Sequence, residues 1–221
     1  DGIGMRPLQN IISDEEVGQL AKRAEKHGGL VGYKNNEDGS QSPYELNCNY
    51  MDLLSAPEED DQVRADKMML TQSVMPGVPG IYFHSLVGSR NYYKGVEESG
   101  IKRRINREKL NYEQLADEIA DKDTLRHTIF NSYKKILKIR TNQKAFNPLG
   151  KASYRVSDDK KIFVIKREHQ GETIYAVYNF SNTEASIKAL SPKVLDLENE
   201  EEWSSDVWKL NPYQCNWLKV N

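Results

Sequence analysis

The sequence predicts an α/β region followed by an all-β module: the closing part of a (β/α)8 barrel with an antiparallel β-sandwich appended. Residues 80–87 are apolar without alternation, which is typical of a strand buried on both faces of a parallel sheet, and helix-period segments flank them. The period changes near residues 148–150. From there to the end of the chain, short β-rich runs alternate with turns, a pattern typical of a small sandwich.

We therefore expect a domain boundary at about residue 150, with the barrel part in residues 1–150 and the sandwich in residues 151–221. A length of 221 residues fits one large domain or two small ones. One parallel strand cannot bury both of its faces, so the barrel part is expected to be incomplete. Its exposed apolar surface would then favour self-association.

An inserted helix and hairpin are predicted at about residues 8–55. Residues 1–7 are typical of a strand end that passes into a loop, because two Gly and one Pro interrupt them. Ser13 and Glu16 form the pattern of a capping box that begins a helix, and two Gly after His27 end it. Residues 30–33 and 42–46 then predict a hairpin across a turn rich in Asn, Asp and Gly.

The remaining elements follow from periodicity and punctuation. A second helix is predicted after the acidic run 58–61, and a polar loop covers residues 88–107. Two more helices begin near Asn111 and Asp123. The predicted strands of the sandwich are, in order, residues 162–166, 173–180, 185–190, 207–210 and 215–220.

Composition excludes several classes of protein. With 31 basic and 33 acidic residues the net charge is −2, so nothing indicates a nucleic-acid partner. No apolar run is long enough for a membrane-spanning helix, and the first residues do not resemble a signal peptide. Cys48 and Cys215 lie far apart without metal-ligand spacing. We expect no metal site, no disulfide and no cofactor. The two cysteines are expected to be free thiols, which is typical of the reducing cytoplasm.

Several motifs resemble one family. The opening Asp1-Gly2-Ile3-Gly4-Met5-Arg6-Pro7 resembles the segment after strand seven in glycoside hydrolase family 13, the α-amylase superfamily, and residues 76–83 resemble strand eight. Three further motifs are similar to the sucrose phosphorylase branch of that family: Tyr44-Glu45-Leu46-Asn47, Gly88-Ser89-Arg90-Asn91 and Arg104-Ile105-Asn106-Arg107. In this order and spacing, the resemblance covers essentially the whole chain.

The resemblance implies the C-terminal part of a retaining enzyme that transfers glucose from sucrose or a related α-glucoside to phosphate, giving glucose 1-phosphate. Retention needs a nucleophile and an acid/base, two carboxylates roughly 5–5.5 Å apart. The family takes both from strands that would precede Asp1, so this chain alone is expected to be inactive. Asp1 itself matches the family's third carboxylate, which stabilises the transition state. Alternatives are a hydrolase of the same family and a non-catalytic carbohydrate-binding or structural module.

The same resemblance implies a substrate-binding set whose partners are a small carbohydrate and inorganic phosphate. Tyr44 and Glu45 are implied to face the acceptor, the sugar or polyol that is released when the α-glucosidic bond breaks. Sucrose-using members carry Gln in place of Glu45, and since a carboxylate only accepts hydrogen bonds, acceptor recognition should differ. Arg103, Asn106 and Arg107 follow strand eight at the catalytic rim. The two guanidinium groups suit bidentate capture of phosphate, and we expect them to provide the phosphate ligand.

A structural interpretation stands beside each functional one. The tyrosine of the hairpin would only pack against its strand, and the basic run would be a solvated rim balanced by Glu97 and Glu98. His84 lies in the predicted buried strand, where a hydrogen-bonded core histidine is a better interpretation than a site residue. The three Trp residues are expected to fill the core of the sandwich rather than to stack on sugar.

Overall fold

The computed structural model describes residues 2–71 and 74–221. Asp1, the predicted transition-state stabiliser, lies outside the described residues. The chain divides into two compact units, which we describe separately: the first comprises residues 2–65 and 81–130, and the second residues 66–71, 74–80 and 131–221. This division concerns compactness, and the domain boundary near residue 150 stays a prediction.

The first unit contains a three-stranded antiparallel sheet of order β1-β3-β2, formed by β1 (Gly2–Gly4), β2 (Leu30–Asn35) and β3 (Gln41–Asn47). The predicted hairpin is thus confirmed. Helix α1 (Asp14–Lys26) packs its buried face onto this sheet, and the shared core consists of Met5, Ala21, Ala24, Val31, Leu46 and Cys48. Burial of this amphipathic face is what stabilises so short a helix.

The predicted capping box begins α1. The backbone N–H of Glu16 donates to the Ser13 hydroxyl at 3.2 Å, and the Ser13 N–H donates back to the Glu16 carboxylate at 2.8 Å. These bonds hold the pKa of Glu16 below its ordinary value, the backbone contact contributing most. Two donors that the helix leaves without intrahelical partners are satisfied in this way.

Six further helices follow in chain order, and two of them cross the division between the units. They are α2 (Tyr50–Leu54), α3 (Asp61–Met69), α4 (Phe83–Leu86), α5 (Tyr93–Ser99), α6 (Tyr112–Ala120) and α7 (Leu125–Thr141). Short 3₁₀ helices occupy Arg6–Leu8, Lys102–Asn106 and Lys144–Phe146. The helices predicted to begin near Asn111 and Asp123 are confirmed, and the Asn111 side chain caps α6.

The prediction of a parallel strand at residues 80–87 is wrong. Residues 83–86 form one helical turn, α4, in which the Leu86 N–H donates to the Tyr82 carbonyl at 2.9 Å. A strand needs neighbours that satisfy its backbone groups, and every strand pair in the part of the chain that the structure describes is antiparallel and lies elsewhere. An apolar run of this length does not distinguish a strand from a buried helical turn.

The polar stretch at residues 88–107 is more ordered than predicted. It contains α5 and the 3₁₀ helix Lys102–Asn106, hereafter the basic 3₁₀ helix. Gly100 ends α5 in the left-handed region, with φ of 67°, and its N–H donates to the Val96 carbonyl at 2.8 Å. This glycine terminus is a common helix end that the sequence pattern did not reveal, because α5 lacks an apolar periodicity.

The second unit is an antiparallel β-sandwich. Its larger sheet has the order β4-β5-β6-β11-β8-β9, and the smaller one pairs β7 with β10. The strands are β4 (Lys151–Val156), β5 (Ile162–His169), β6 (Glu172–Asn179), β7 (Ala185–Lys188), β8 (Val194–Asp196), β9 (Glu201–Trp203), β10 (Val207–Leu210) and β11 (Cys215–Val220). All five predicted strands are present, and β4, β8 and β9 were not predicted.

Side chains from both sheets form the core of this sandwich. The larger sheet contributes Ile162, Val164, Val177, Val194 and Leu218, and the smaller sheet Ala185, Ile187, Trp208 and Leu210. The alternation of exposed and buried residues along β7 and β10 directs every second side chain inward. The prediction that Trp residues fill this core is confirmed for Trp208, which is 1% exposed. Trp217 is equally buried but lies outside this cluster, with its ring centroid 4.7 Å from that of Phe146.

A half-buried carboxyl near β8 makes the stability of this unit dependent on pH. Burial, aided by the charge of Asp196, raises the pKa of Glu198 from 4.5 to about 7, and Lys135 opposes the shift. The native state therefore keeps a proton that the unfolded state releases near pH 4.5. The contribution of this proton to the free energy of unfolding is therefore fully present below pH 4.5, and it is lost as the pH rises through about 7.

We expect Glu198→Gln to remove this part of the pH dependence, because the amide cannot ionise. The measurement is the free energy of urea unfolding between about pH 5 and pH 8, with the exposed Glu201→Gln as the matched control. The control should retain the wild-type slope. An equal slope in the wild type and Glu198→Gln would show that Glu198 is charged in the native state throughout this range.

Candidate functional site

A β-bulge in the first unit lies at the centre of the candidate site. The β2–β3 register shifts between Gly32 and Tyr33, which leaves Tyr44 as an extra residue on β3. In a regular strand, Tyr44 and Glu45 would point to opposite faces, and a bulge re-aims such a side chain. The Arg103 guanidinium interacts here with both of them. The bulge thus lets two consecutive side chains interact with the same guanidinium.

The strongest contact of the site is a two-point ion pair. Arg103 Nε donates to Glu45 Oε2 at 2.9 Å, and Arg103 Nη2 donates to Glu45 Oε1 at 2.5 Å. The Glu45 side chain is 10% exposed, whereas that of Arg103 is 47% exposed. The hydrogen bond and then the charge of Glu45 raise the pKa of Arg103, with a smaller contribution from Tyr44. The buried carboxylate therefore fixes a guanidinium that remains open to solvent on its other side.

Two glycines make room for these side chains. A Cβ on Gly2 would lie 2.5 Å from Glu45 Oε1, and a Cβ on Gly32 would lie 3.0 Å from Tyr44 Cε1. Both separations are below ordinary van der Waals contact. The backbone of β1 and β2 is thus in direct contact with the carboxylate and the tyrosine ring, a close approach that needs glycine.

The basic 3₁₀ helix is anchored on both sides of Arg103. Lys102 Nζ donates to the Val31 carbonyl of β2 at 2.7 Å. Asn106, 3% exposed, donates through Nδ2 to the Cys48 carbonyl at 3.4 Å. Its own carbonyl accepts the Tyr82 hydroxyl at 3.0 Å. These contacts fix the position of Arg103 relative to β3.

The structure thus brings three of the predicted substrate-binding residues together and separates two. Tyr44, Glu45 and Arg103 form one cluster. Asn106 is buried in the last position of the basic 3₁₀ helix, and Arg107 is exposed beyond its end. Roles of these five residues toward substrate remain predictions.

The cluster has the chemistry of an oxyanion site. A guanidinium carries five N–H donors, and Glu45 uses two of those of Arg103. The Arg103 side chain is 47% exposed, so solvent reaches part of it beside this ion pair. A phosphate or carboxylate could be bound there by charge-assisted hydrogen bonds without breaking the ion pair.

Sequence reasoning missed one buried acid near this cluster. Asp52 is 4% exposed, and its carboxylate contacts Arg90 Nε at 2.5 Å. The signal was present in the sequence, because Asp52 stands among apolar residues in residues 51–54 and a buried carboxylate requires a cationic or hydrogen-bonding partner. The Gly-Ser-Arg-Asn motif that contains Arg90 was noted without its partner.

His84 has the structural role that was predicted. It is 4% exposed, and its Nδ1 shares a hydrogen bond of 2.9 Å with the Ser89 hydroxyl. Burial lowers the pKa of His84, and the nearby Arg126 lowers it further, whereas a backbone contact at Glu108 acts in the opposite direction. The imidazole is therefore neutral at physiological pH and acts as a core residue.

Within residues 2–71 and 74–221, no group of three His, Cys, Asp or Glu residues is arranged to hold a metal ion. None of the helices described there combines the length and apolar character that crossing a bilayer would require. Cys48 is buried and Cys215 partly buried, and no disulfide joins them.

No protein-family model matches the chain, but characterised proteins do. The chain is 32% identical over 222 residues to the glucosylglycerate phosphorylase of Escherichia coli K12, a match that covers 99% of this chain and 40% of that protein. It is 23% identical over 176 residues to the sucrose phosphorylase of Streptococcus mutans, covering 79% of this chain and 34% of that one. The chain belongs to glycoside hydrolase family 13, in its sucrose phosphorylase branch.

Solved structures show the same fold. The crystal structure of sucrose 6F-phosphate phosphorylase from Thermoanaerobacter thermosaccharolyticum matches with a TM-score of 0.68 at 18% identity, covering 96% of this chain and 39% of that one. This likeness shows the fold, including the C-terminal sandwich of family 13 enzymes. The chain spans 40% of the length of the first of these curated relatives and 34% of the second. Its predicted correspondence to the last barrel strands stays a prediction.

Proposed function

We propose that this chain is part of a retaining α-glucosyl phosphorylase whose donor is an α-glucosylglycerate, and that the chain supplies residues that bind glycerate and phosphate. The activity belongs to a longer protein, since the matched relatives are more than twice as long as the matched segment. The higher identity to a glucosylglycerate phosphorylase than to a sucrose phosphorylase supports this donor. The two thiols favour a cytoplasmic location.

The observation that carries the proposal is the half-exposed Arg103 held by the buried Glu45. Glycerate and phosphate are both small oxyanions, and each matches the planar fork of a guanidinium. Because the ion pair fixes the orientation of Arg103 beforehand, less side-chain entropy is lost when the anion binds. Sucrose carries no anionic group, so a cationic site of this kind would add little to its binding affinity.

Glu45 can also take part in acceptor binding as a hydrogen-bond acceptor. Each carboxylate oxygen has a second lone pair beyond the one that Arg103 uses, and this lone pair can accept a hydrogen bond from a hydroxyl of the acceptor. A carboxylate donates none, so an acceptor must offer hydroxyl donors beside its own anionic group. Glycerate has that combination.

Both anions can use the same guanidinium in turn. In a retaining mechanism the bond from the glucosyl carbon to glycerate breaks first, and glycerate leaves with a proton from the general acid. Phosphate then attacks the covalent glucosyl-enzyme, which releases the nucleophile and gives glucose 1-phosphate. Arg103 would hold the glycerate carboxylate before the first step and phosphate before the second, which predicts ping-pong kinetics.

The test is an assay of the full-length enzyme with phosphate and either 2-O-α-glucosylglycerate or sucrose, following glucose 1-phosphate. We expect turnover at roughly 1 per second or faster with glucosylglycerate and much slower turnover with sucrose. The 221-residue chain alone is the control and should show none, because none of its residues matches the nucleophile or the acid/base. Preference for sucrose would refute the donor, and release of glucose without glucose 1-phosphate would indicate a hydrolase.

A further inference from the structure

A hydrogen-bonded network lies behind the candidate site, in the same unit. At its centre is the Asp52 carboxylate of α2, which is 4% exposed. Asp52 Oδ1 accepts from Arg90 Nε at 2.5 Å, and Oδ2 accepts from the backbone N–H of Asn91 at 2.5 Å. Arg64 Nη1 lies 3.8 Å from Oδ1. Burying a carboxylate is costly, and these donors compensate for the lost hydration.

Asn49 extends this network to the segment after Arg90. Its backbone N–H donates to Asn91 Oδ1 at 2.6 Å, and its Nδ2 donates to the Arg90 carbonyl at 2.5 Å. Asn49 is 2% exposed. Residues 49–52 and residues 90–91 are therefore joined by hydrogen bonds in both directions, which fixes one segment against the other.

The network ends on the basic 3₁₀ helix. The Ile105 carbonyl accepts the backbone N–H of Tyr92 at 2.7 Å and lies 3.5 Å from Asn49 Nδ2. Ile105 is fully buried and stands two residues after Arg103. The backbone that carries Arg103 is thus attached to the segment that Asp52 orients.

We propose that Asp52 is a positioning residue for Arg103. It acts through Arg90, Asn91 and the basic 3₁₀ helix to keep the Arg103 guanidinium in line with Glu45 and the incoming oxyanion. This inference rests on the proposed function. A charge lost at Asp52 would release the segment at residues 90–92, and the ion pair would then hold Arg103 in several orientations rather than one.

The test uses Asp52→Asn in the full-length enzyme, because the amide keeps the shape and removes the charge. With saturating glucosylglycerate and sub-saturating phosphate we expect the ratio of glucose 1-phosphate to free glucose to fall about tenfold, through a higher KM for phosphate. The ratio compares two fates of one glucosyl-enzyme, so it does not depend on how fast that intermediate forms. A purely structural role would lower both products together. Asp61→Asn is the matched control, since that side chain also approaches Arg64 but is 67% exposed.

A double-mutant cycle decides whether Asp52 acts through Arg103. If it does, adding Asp52→Asn to Arg103→Ala lowers the ratio no further. If the two effects multiply, the positioning proposal is wrong. If Arg103→Ala alone leaves the ratio unchanged, the phosphate role in the proposed function fails first, so the two failures are distinguishable.

Loss of folding in Asp52→Asn would be detected by thermal unfolding, and Arg90→Gln then replaces it. The Arg90 side chain is 47% exposed, so its truncation disturbs the core less while removing the same ion pair. The same fall in the product ratio, absent in the Arg103→Ala background, would support the proposal. An unchanged ratio in Arg90→Gln would overturn it.

Discussion

Replacing Arg103 by Ala in the full-length enzyme is expected to weaken phosphate use by roughly ten- to a hundredfold, the effect of losing one charge-assisted contact. Formation of the glucosyl-enzyme needs no phosphate, whereas the second step needs a phosphate anion held against the intermediate. Slow hydrolysis should therefore persist, at a rate lowered by the weaker binding of the donor's glycerate. The measurement is the ratio of glucose 1-phosphate to free glucose as a function of phosphate concentration.

Arg107→Ala is the matched control for Arg103→Ala. The sequence favoured both residues, but only Arg103 joins Tyr44 and Glu45, whereas Arg107 is exposed beyond the end of the basic 3₁₀ helix. We expect a change of less than about threefold for Arg107→Ala, because an exposed charge contributes little. A larger effect at Arg107 than at Arg103 would place the phosphate ligand outside the cluster.

Replacing Trp208 by Ala is expected to lower the free energy of unfolding of the chain by about 3–5 kcal/mol. Trp208 is 1% exposed in the sandwich core, and its ring centroid lies 5.7 Å from that of Tyr175. Truncation removes the apolar contacts of a large ring and leaves a cavity between the two sheets. The measurement is urea unfolding followed by circular dichroism.

Two controls separate this cavity effect from local disturbance of β10. Trp208→Phe keeps most of the buried ring and removes an indole N–H that has no partner among the described residues, so its loss should be less than half as large. Val207→Ala changes the adjacent residue, which is 42% exposed, and should change stability by less than about 0.5 kcal/mol. Equal losses for Trp208→Ala and Val207→Ala would contradict the assigned core.

The elements that sequence reasoning located are those with strong local signals. The capping box at Ser13 defined the start of α1, and the Asn-rich turn defined the β2–β3 hairpin. Short β-rich runs separated by turns identified the inner strands of the sandwich. The strands that escaped prediction have weak patterns, since β8 and β9 have three residues each and β4 is an exposed edge strand.

The segment at residues 80–87 shows where local pattern is insufficient. An apolar run becomes a strand only when neighbouring strands accept its backbone hydrogen bonds, and that depends on the rest of the fold. Without such neighbours in the described chain, residues 83–86 close their own hydrogen bonds as α4. The secondary structure of a short apolar run is therefore determined by its tertiary contacts.

For the candidate site, the sequence by itself determined the residue types and, through its motifs, the family. It identified Tyr44, Glu45 and Arg103 as separate candidates. The two members of the ion pair, Glu45 and Arg103, are 58 positions apart in the sequence. Only the tertiary structure decided that the two charges meet, because a single extra residue on β3 re-aims Tyr44 and Glu45, and because the basic 3₁₀ helix is anchored to β2 and to Cys48, just after β3. It also decided that Asp52 belongs with them, since hydrogen bonds between distant segments leave no periodicity along the chain.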